Sequence, residues 1–236
     1  MGRIKSGEVQ TRNNNIETEI LYFMCPSFDG ELLLAGGGNA NDSWPLDEWL
    51  VDQIGRDGAI GYLPVAMPPD RYPDCEEWIT GVFQEHGVSD IRMWTDLAEL
   101  DESDVAAVNA IYVGGGNTYR LLERLRQTNT DRRLREFISA GGILYGGSAG
   151  AIICGETIET TPDENMVGLQ ETTALQLLPE TDIWCHYSEA DDPEIHEYAV
   201  ETDRTVVAIP ERSGASVTAT RYRVVGHVPI RVFEGA

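Results

Sequence analysis

The chain has 236 residues, 42% of them hydrophobic, and its 40 acidic against 17 basic residues give a net charge of -23. This composition can bury the core of one globular domain and excludes a disordered tail, and the lack of clustered Lys and Arg argues against a nucleic-acid partner. No apolar run reaches the ~18 residues of a membrane span and the first residues lack a secretory signal, so we expect a cytoplasmic protein that does not bind membranes.

The basic residues are almost all arginine, because Lys5 is the only lysine. A strongly negative, self-repelling surface is one way for a protein to stay soluble in concentrated salt. We therefore expect a halophilic source, with an acidic protein from a low-salt organism as the alternative.

Residues 1–29 differ from the rest of the chain, with a polar start followed by the apolar run 20–24. We predict a flexible leader or an extra edge strand over 1–29 and a single α/β catalytic domain over 30–236.

From residue 31 strand-like and helix-like patterns alternate. The predicted strands are 31–35, 59–65, 91–94, 110–113 and 142–145, and the predicted helices are 45–54, 75–86, 118–127 and 131–139. Such alternation favours a three-layer αβα fold with a mostly parallel sheet, in which ligands bind at the carboxyl ends of strands. The last third adds strands at 182–185, 205–209, 215–218 and 222–225, and we predict that the last two form an antiparallel edge hairpin.

The segment 146–150 reads Gly-Gly-Ser-Ala-Gly and follows an apolar run directly. This G-x-S-x-G pattern is typical of a nucleophile elbow, in which small neighbours let a serine sit on a sharp turn between strand and helix. Ser148 is therefore a candidate nucleophile, and the alternative is a glycine-rich strand end that happens to contain serine.

A serine nucleophile needs a base, and the chain has four histidines. His186 is the best candidate because it follows the strand 182–185, at the same kind of strand end as Ser148. His86 and His196 are expected to be solvated surface residues, and His227 is a weaker candidate.

The group that would orient the base stays open among three carboxylates. Asp163 and Glu164 follow the stretch 157–162, and Glu211 follows Pro210 at another strand end. Spacing does not choose among them, because in a chain this acidic most carboxylates are surface charges.

Two backbone amides suit the developing oxyanion. One is that of Ala149, directly after the candidate nucleophile, and the other belongs to the glycine triplet 114–116. That triplet as a phosphate site is the alternative, but no Lys follows it in Walker fashion and no G-x-G-x-x-G opens a helix. We expect no metal and no cofactor.

The four cysteines form no C-x-x-C pair, and we expect them to be reduced. Cys185 stands next to His186, which raises the alternative of a thiol nucleophile. Adjacent strand residues point to opposite faces, however, and this argues against a working pair.

Five ordered motifs together resemble the peptidase E family of serine peptidases, which includes aspartyl dipeptidases and has cyanophycinases as relatives. The motifs are IYVGGGNT at 111–118, LYGGSAGA at 144–151, TTPD at 160–163, CHY at 185–187 and IPE at 209–211. The resemblance covers roughly residues 31–226.

The resemblance implies a flavodoxin-like fold related to class I glutamine amidotransferases, with serine in place of the usual cysteine. It implies that Ser148 is the nucleophile, His186 the base and Asp163 the third member of the triad, with Gly116 and Ala149 supplying the oxyanion-hole amides. The implied activity is hydrolysis of short peptides through an acyl-enzyme.

The chain departs from the family on the substrate side. Aspartyl dipeptidases carry arginines shortly after the histidine motif, whereas the stretch 188–197 has no arginine and many acids. A preference for N-terminal aspartate is therefore not expected. An esterase and a catalytically silent binding protein on the same fold are the alternatives, and the sequence leaves the oligomeric state open, a homo-oligomer included.

Overall fold

The computed structural model describes residues 28–235. The predicted leader at 1–29 lies almost wholly outside these described residues. Within them, no helix is long and apolar enough to cross a membrane.

The described part of the chain contains ten strands and seven α-helices. The strands are β1 Glu31–Ala35, β2 Ala59–Leu63, β3 Asp90–Met93, β4 Ala110–Val113, β5 Ile143–Gly147, β6 Thr181–Cys185, β7 Thr205–Ile209, β8 Ser213–Thr218, β9 Arg221–Gly226 and β10 Arg231–Phe233. The helices are α1 Ala40–Ile54, α2 Tyr72–Glu85, α3 Glu102–Ala106, α4 Thr118–Gln127, α5 Thr130–Ser139, α6 Ala149–Ile152 and α7 Asp192–Thr202.

The larger sheet has seven strands in the order β3-β2-β4-β5-β1-β8-β9. The first five strands are parallel to one another, whereas β8 pairs antiparallel with both β1 and β9. The predicted mostly parallel sheet is thus confirmed, and so is the antiparallel hairpin at its edge.

A second sheet has three strands in the order β10-β7-β6, with β6 and β7 parallel. The sequence patterns of β6 and β7 identify them as strands. They do not show that these strands leave the main sheet and pair with each other, because strand pairing is set by tertiary contacts.

Helices cover both faces of the larger sheet, as predicted. On β1, Leu32 and Leu34 pack into the cluster that contains Leu121 of α4. Leu33, which points to the opposite face, packs into the cluster that contains Phe83 of α2. Because both faces are buried, the strands are rich in apolar residues throughout, and functional side chains are left to the strand ends.

Helix α1 begins five residues earlier than the predicted start at 45. Asn39 caps it, since its side chain accepts from the Asn41 amide and the Asp42 side chain accepts from the Asn39 amide. Because this capping box starts the helix at residue 40, Pro45 lies inside the helix rather than in its first turn.

Candidate active site

Ser148 occupies a sharp turn between β5 and α6. Its backbone has φ 51° and ψ -110°, a region that costs a non-glycine residue about 1–3 kcal/mol. A Cβ at Gly146 would lie 2.3 Å from the Gly150 carbonyl oxygen, and one at Gly150 would lie 2.1 Å from the Val113 carbonyl oxygen. Both glycines are therefore required by close packing, and the chain has the strand–turn–helix geometry that the motif predicts.

His186 follows β6 and reaches the serine directly. Its Nε2 lies 2.8 Å from Ser148 Oγ, and its backbone amide donates to the Gly36 carbonyl at 2.9 Å. The ring packs on the backbone of Gly37, where a Cβ would lie 2.2 Å from His186 Cε1. The glycine turn after β1 thus contacts the imidazole and fixes its position.

Glu211 contacts the other side of the imidazole, with Oε1 2.8 Å from His186 Nδ1. The reason lies in the second sheet, where β6 and β7 are parallel neighbours and Cys185 pairs with Ile209. Residues just past these two strand ends lie side by side, so that His186 and Glu211 meet.

Asp163, which the resemblance implies as the third member of the triad, forms its hydrogen bonds with other residues than His186 within the described part of the chain. Its Oδ2 accepts from the Thr118 amide at 2.7 Å, the Thr118 hydroxyl at 2.8 Å and the Thr161 hydroxyl at 2.9 Å. Asp163 lies on a loop that packs against the N-terminus of α4, whereas Glu211 lies two residues past the end of β7, the strand next to β6. The remaining carboxylate candidate, Glu164, contributes only its backbone carbonyl, which accepts from the Asn117 side chain at 2.9 Å.

The other histidines lie away from Ser148. His196 and His227 are exposed, in agreement with the surface location expected for His196. His86 is half-buried rather than solvated, because its ring packs on Trp44 with centroids 3.9 Å apart, and desolvation lowers its pKa.

The two candidate oxyanion amides lie at neighbouring strand ends, since Val113 of β4 pairs with Gly146 of β5. Among the hydrogen bonds of residues 28–235, none uses the amide of Gly116 or of Ala149. A Cβ at Gly116, where φ is 136°, would lie 2.7 Å from the Ala66 backbone, so this turn also requires glycine. Both donors are thus available to a ligand.

Cys185 lies beneath the site and is buried. Its thiol faces the carbonyl oxygen of Ser148 at 3.5 Å, and burial raises its pKa. A neutral buried thiol does not act as a nucleophile, which leaves the hydroxyl of Ser148 as the group beside the imidazole. Among the described residues, Cys75, Cys154 and Cys185 are not joined in disulfides, and Cys25 lies outside them.

A buried polar network under β5, which the sequence did not reveal, supports the elbow. Tyr145 donates to Asp47 Oδ1 at 2.9 Å, Ser43 donates to Asp47 Oδ2 at 2.7 Å, and Tyr112 stacks on Tyr145 at 4.1 Å. Desolvation raises the pKa of Asp47 to about 7. The network fixes α1 against the strand that leads into Ser148.

These elements surround an open cleft of about 460 Å³. Its lining includes Trp78, Tyr112, Gly115, Gly116, Thr118, Ser148, Asp163 and His186. Among the described residues that line it, Asp163 is the carboxylate and His186 the imidazole, and none is Lys or Arg. No group of three His, Cys, Asp or Glu within residues 28–235 could hold a metal ion.

Comparison with known proteins agrees with the arrangement of these motifs, since the profile of Peptidase family S51 matches residues 32–225. The chain belongs to this family. Similar relatives are called peptidase E: one from Shewanella denitrificans is 31% identical over 75% of this chain and 77% of its own length. Another from Shigella flexneri is 29% identical over 80% and 86%.

Solved structures support the family's fold. A candidate peptidase E from Listeria monocytogenes superposes with a TM-score of 0.66 at 21% identity, covering 84% of this chain and 99% of that one. A peptidase from an acI-B1 Actinobacterium gives 0.64 at 18% identity, covering 91% and 96%. At these identities the likeness shows the fold alone.

Proposed function

We propose that this chain is a serine peptidase of the peptidase E type, which hydrolyses short peptides through an acyl-enzyme on Ser148. One observation carries the proposal: Ser148 Oγ, the His186 imidazole and Glu211 Oε1 form a continuous chain with both links at 2.8 Å. A nucleophile, a base and an orienting carboxylate in this order are what acyl transfer by serine requires.

In the first half of the reaction, Ser148 Oγ attacks the substrate carbonyl carbon while His186 Nε2 takes the hydroxyl proton. The Glu211 carboxylate accepts from His186 Nδ1–H, which sets the tautomer that leaves Nε2 free and then stabilises the imidazolium. The amides of Gly116 and Ala149 donate to the developing oxyanion. When the C–N bond breaks, the proton on Nε2 passes to the leaving amine, and the acyl group stays on Ser148.

In the second half, water attacks the acyl-enzyme carbonyl and gives a proton to His186 Nε2. Collapse of this intermediate breaks the ester bond, and the proton returns to Ser148 Oγ. Every proton transfer uses a side chain already in place, and the reaction calls for no metal or cofactor.

The cleft favours a substrate whose first side chain carries no negative charge. No Lys or Arg among the described residues lines it, and Arg231 of β10 already pairs with Asp192. Trp78 and Tyr112 add aromatic surface to its wall. An acidic substrate side chain would therefore find no cation there, in contrast to the aspartyl dipeptidases.

We test the proposal by measuring hydrolysis of a dipeptide panel by the wild-type protein and by Ser148→Ala. The assay is run in concentrated salt, because the net charge of -23 supports our proposal that the protein is halophilic. We also propose that it is cytoplasmic. Peptide hydrolysis that Ser148→Ala abolishes supports the proposal, and equal hydrolysis by both proteins refutes it. Turnover of esters without peptides would instead indicate an esterase, and a folded protein that turns over neither would indicate a binding protein.

A further inference from the structure

The cleft extends over both faces of the larger sheet, because neighbouring residues of a strand point to opposite faces. On β4, Val113 packs into the cluster that contains the apolar face of α4, whereas Tyr112 packs into the cluster that contains the apolar face of α2. The part of the cleft on the second face, which we call its α2 half, is lined by Ser43, Trp78 and Tyr112. The proposed proton transfers use none of these three side chains.

Trp78 presents an open aromatic surface in the α2 half. Its side chain is 37% exposed within residues 28–235, although tryptophan is a residue that folding usually buries. An edge-to-face contact holds the indole on one side, since the ring centroids of Trp78 and Tyr112 are 6.3 Å apart and the ring planes cross at 79°. Tyr112 is buried in turn and stacks on Tyr145 at 4.1 Å. A supported ring with an open face in a cleft is a surface against which an apolar ligand group packs.

This surface lies on the acyl side of the reacting serine. The strand order β2-β4-β5-β1 places Ser148, which follows β5, between the turn after β4 and the turn after β1. His186 packs on the turn after β1, and in the proposed mechanism its Nε2 gives a proton to the leaving amine. The leaving group therefore lies on the β1 side of Ser148, and the acyl group lies toward β4 and β2. Tyr112 belongs to β4 and Trp78 to α2, the helix that follows β2, so the first substrate residue is the one that meets them.

Distance and charge in the α2 half both suit an uncharged side chain. A Cβ at Gly147 would lie 3.0 Å from the Tyr112 hydroxyl oxygen, so the aromatic surface begins beside the residue that precedes Ser148. The Ser43 hydroxyl donates to Asp47, whose carboxyl is 1% exposed and is not among the described residues that line the cleft. No Lys or Arg is among those lining residues either. The ligand group that fits this half is apolar and large enough to reach the indole.

We propose that the side chain of the first substrate residue packs against Trp78, and that the enzyme therefore prefers peptides whose first residue is aromatic. An aromatic ring buries more apolar area against the indole than a small aliphatic side chain does, and it adds a ring–ring contact. This inference rests on the proposed function and names the substrate class of the same site. Trp78 is in this account a specificity-determining residue that takes no part in proton transfer.

The test compares two dipeptides that differ only in the first residue, phenylalanyl-alanine and alanyl-alanine. We expect the wild-type kcat/KM to be ~10-fold or more higher for phenylalanyl-alanine. In Trp78→Ala, kcat/KM on phenylalanyl-alanine should fall ~10-fold, mainly through KM, while kcat/KM on alanyl-alanine stays within about twofold of the wild type. The variant Trp78→Phe keeps an aromatic ring at this position, and it should retain most of the preference.

The matched control is Trp44→Ala. Trp44 is 38% exposed, nearly the same as Trp78, but it lies on α1, stacks on His86 and is not among the described residues that line the cleft. We expect this variant to keep the wild-type preference. Equal losses on both dipeptides in Trp78→Ala would overturn the inference. A wild-type protein that cleaves the two dipeptides equally well, or that prefers a charged first residue, would also overturn it.

A binding measurement covers the case in which Trp78→Ala folds poorly. The Ser148→Ala protein, with Trp78 intact, should bind phenylalanyl-alanine ~10-fold more tightly than alanyl-alanine by calorimetry, and equal affinities would overturn the inference. Failure of the proposed function gives a different result, because the wild-type protein then cleaves neither dipeptide and Ser148 stays unreactive toward acylating probes. The inference would fail with it.

Discussion

The variant Gly37→Ala should displace the His186 imidazole, and a control variant shows how much of its effect comes from lost stability of the fold. A Cβ at residue 37 would lie 2.2 Å from His186 Cε1, 2.7 Å from Nε2 and 2.8 Å from Nδ1. Ordinary contact begins at 3.4 Å, so the ring must move back by about 1.2 Å. A shift of that size breaks the 2.8 Å links of His186 to Ser148 and Glu211. Misplacement by ~1 Å costs a factor of about 100 in rate, so we expect kcat to fall at least ~100-fold.

The matched control is Gly141→Ala. Gly141 has φ 95°, close to the 107° of Gly37, but an added Cβ there has nothing within 4 Å. Both variants should lose about 1–2 kcal/mol of unfolding free energy from the left-handed backbone, measured by chemical denaturation. Gly37→Ala should lose activity, and Gly141→Ala should keep it. Full peptidase activity in Gly37→Ala would refute the view that this turn fixes the position of the His186 imidazole.

Two further predictions concern buried and charged groups. In Glu211→Gln the imidazolium loses its carboxylate, so kcat should fall ~100- to 10,000-fold with little change in KM, and a rate within threefold of the wild type would contradict the role of Glu211. Burial raises the pKa of Asp47 to about 7 in the folded state, above that of an exposed carboxyl group in the unfolded chain. The folded state is therefore stabilised relative to the unfolded chain at low pH, and this stabilisation is lost as the pH rises through 7. From pH 5 to 8 the wild type should therefore lose up to about 3 kcal/mol more unfolding free energy than Asp47→Asn, and parallel pH profiles would contradict it.

Periodicity in the sequence predicted the bounds of helices and strands best where a cap and an apolar face are both encoded locally. Helix α4, with the Asn117 cap and one apolar face, has the predicted bounds, and so does β1. Ser148 and His186 could be ranked first because each ends an apolar strand, and strand ends are where a parallel sheet exposes side chains.

The contact between Glu211 and His186 could not be read from the sequence. Glu211 meets His186 only because β6 and β7 pair in a separate sheet, and no local pattern specifies that pairing. The burial of Asp47 could not be predicted either, because in a chain with 40 acidic residues no local pattern distinguishes a buried carboxylate from a solvated one. Asp163 was singled out by family resemblance, and in the structure it lines the cleft and hydrogen-bonds to Thr118 and Thr161.

The central claim is that Ser148 is a nucleophile activated by His186. It is tested most directly by treating the folded protein with a fluorophosphonate and locating the adduct by mass spectrometry. We expect one adduct on Ser148, and its formation should slow strongly in His186→Ala and in Gly37→Ala. A folded wild-type protein that forms no adduct, or forms it on another residue, would contradict the account.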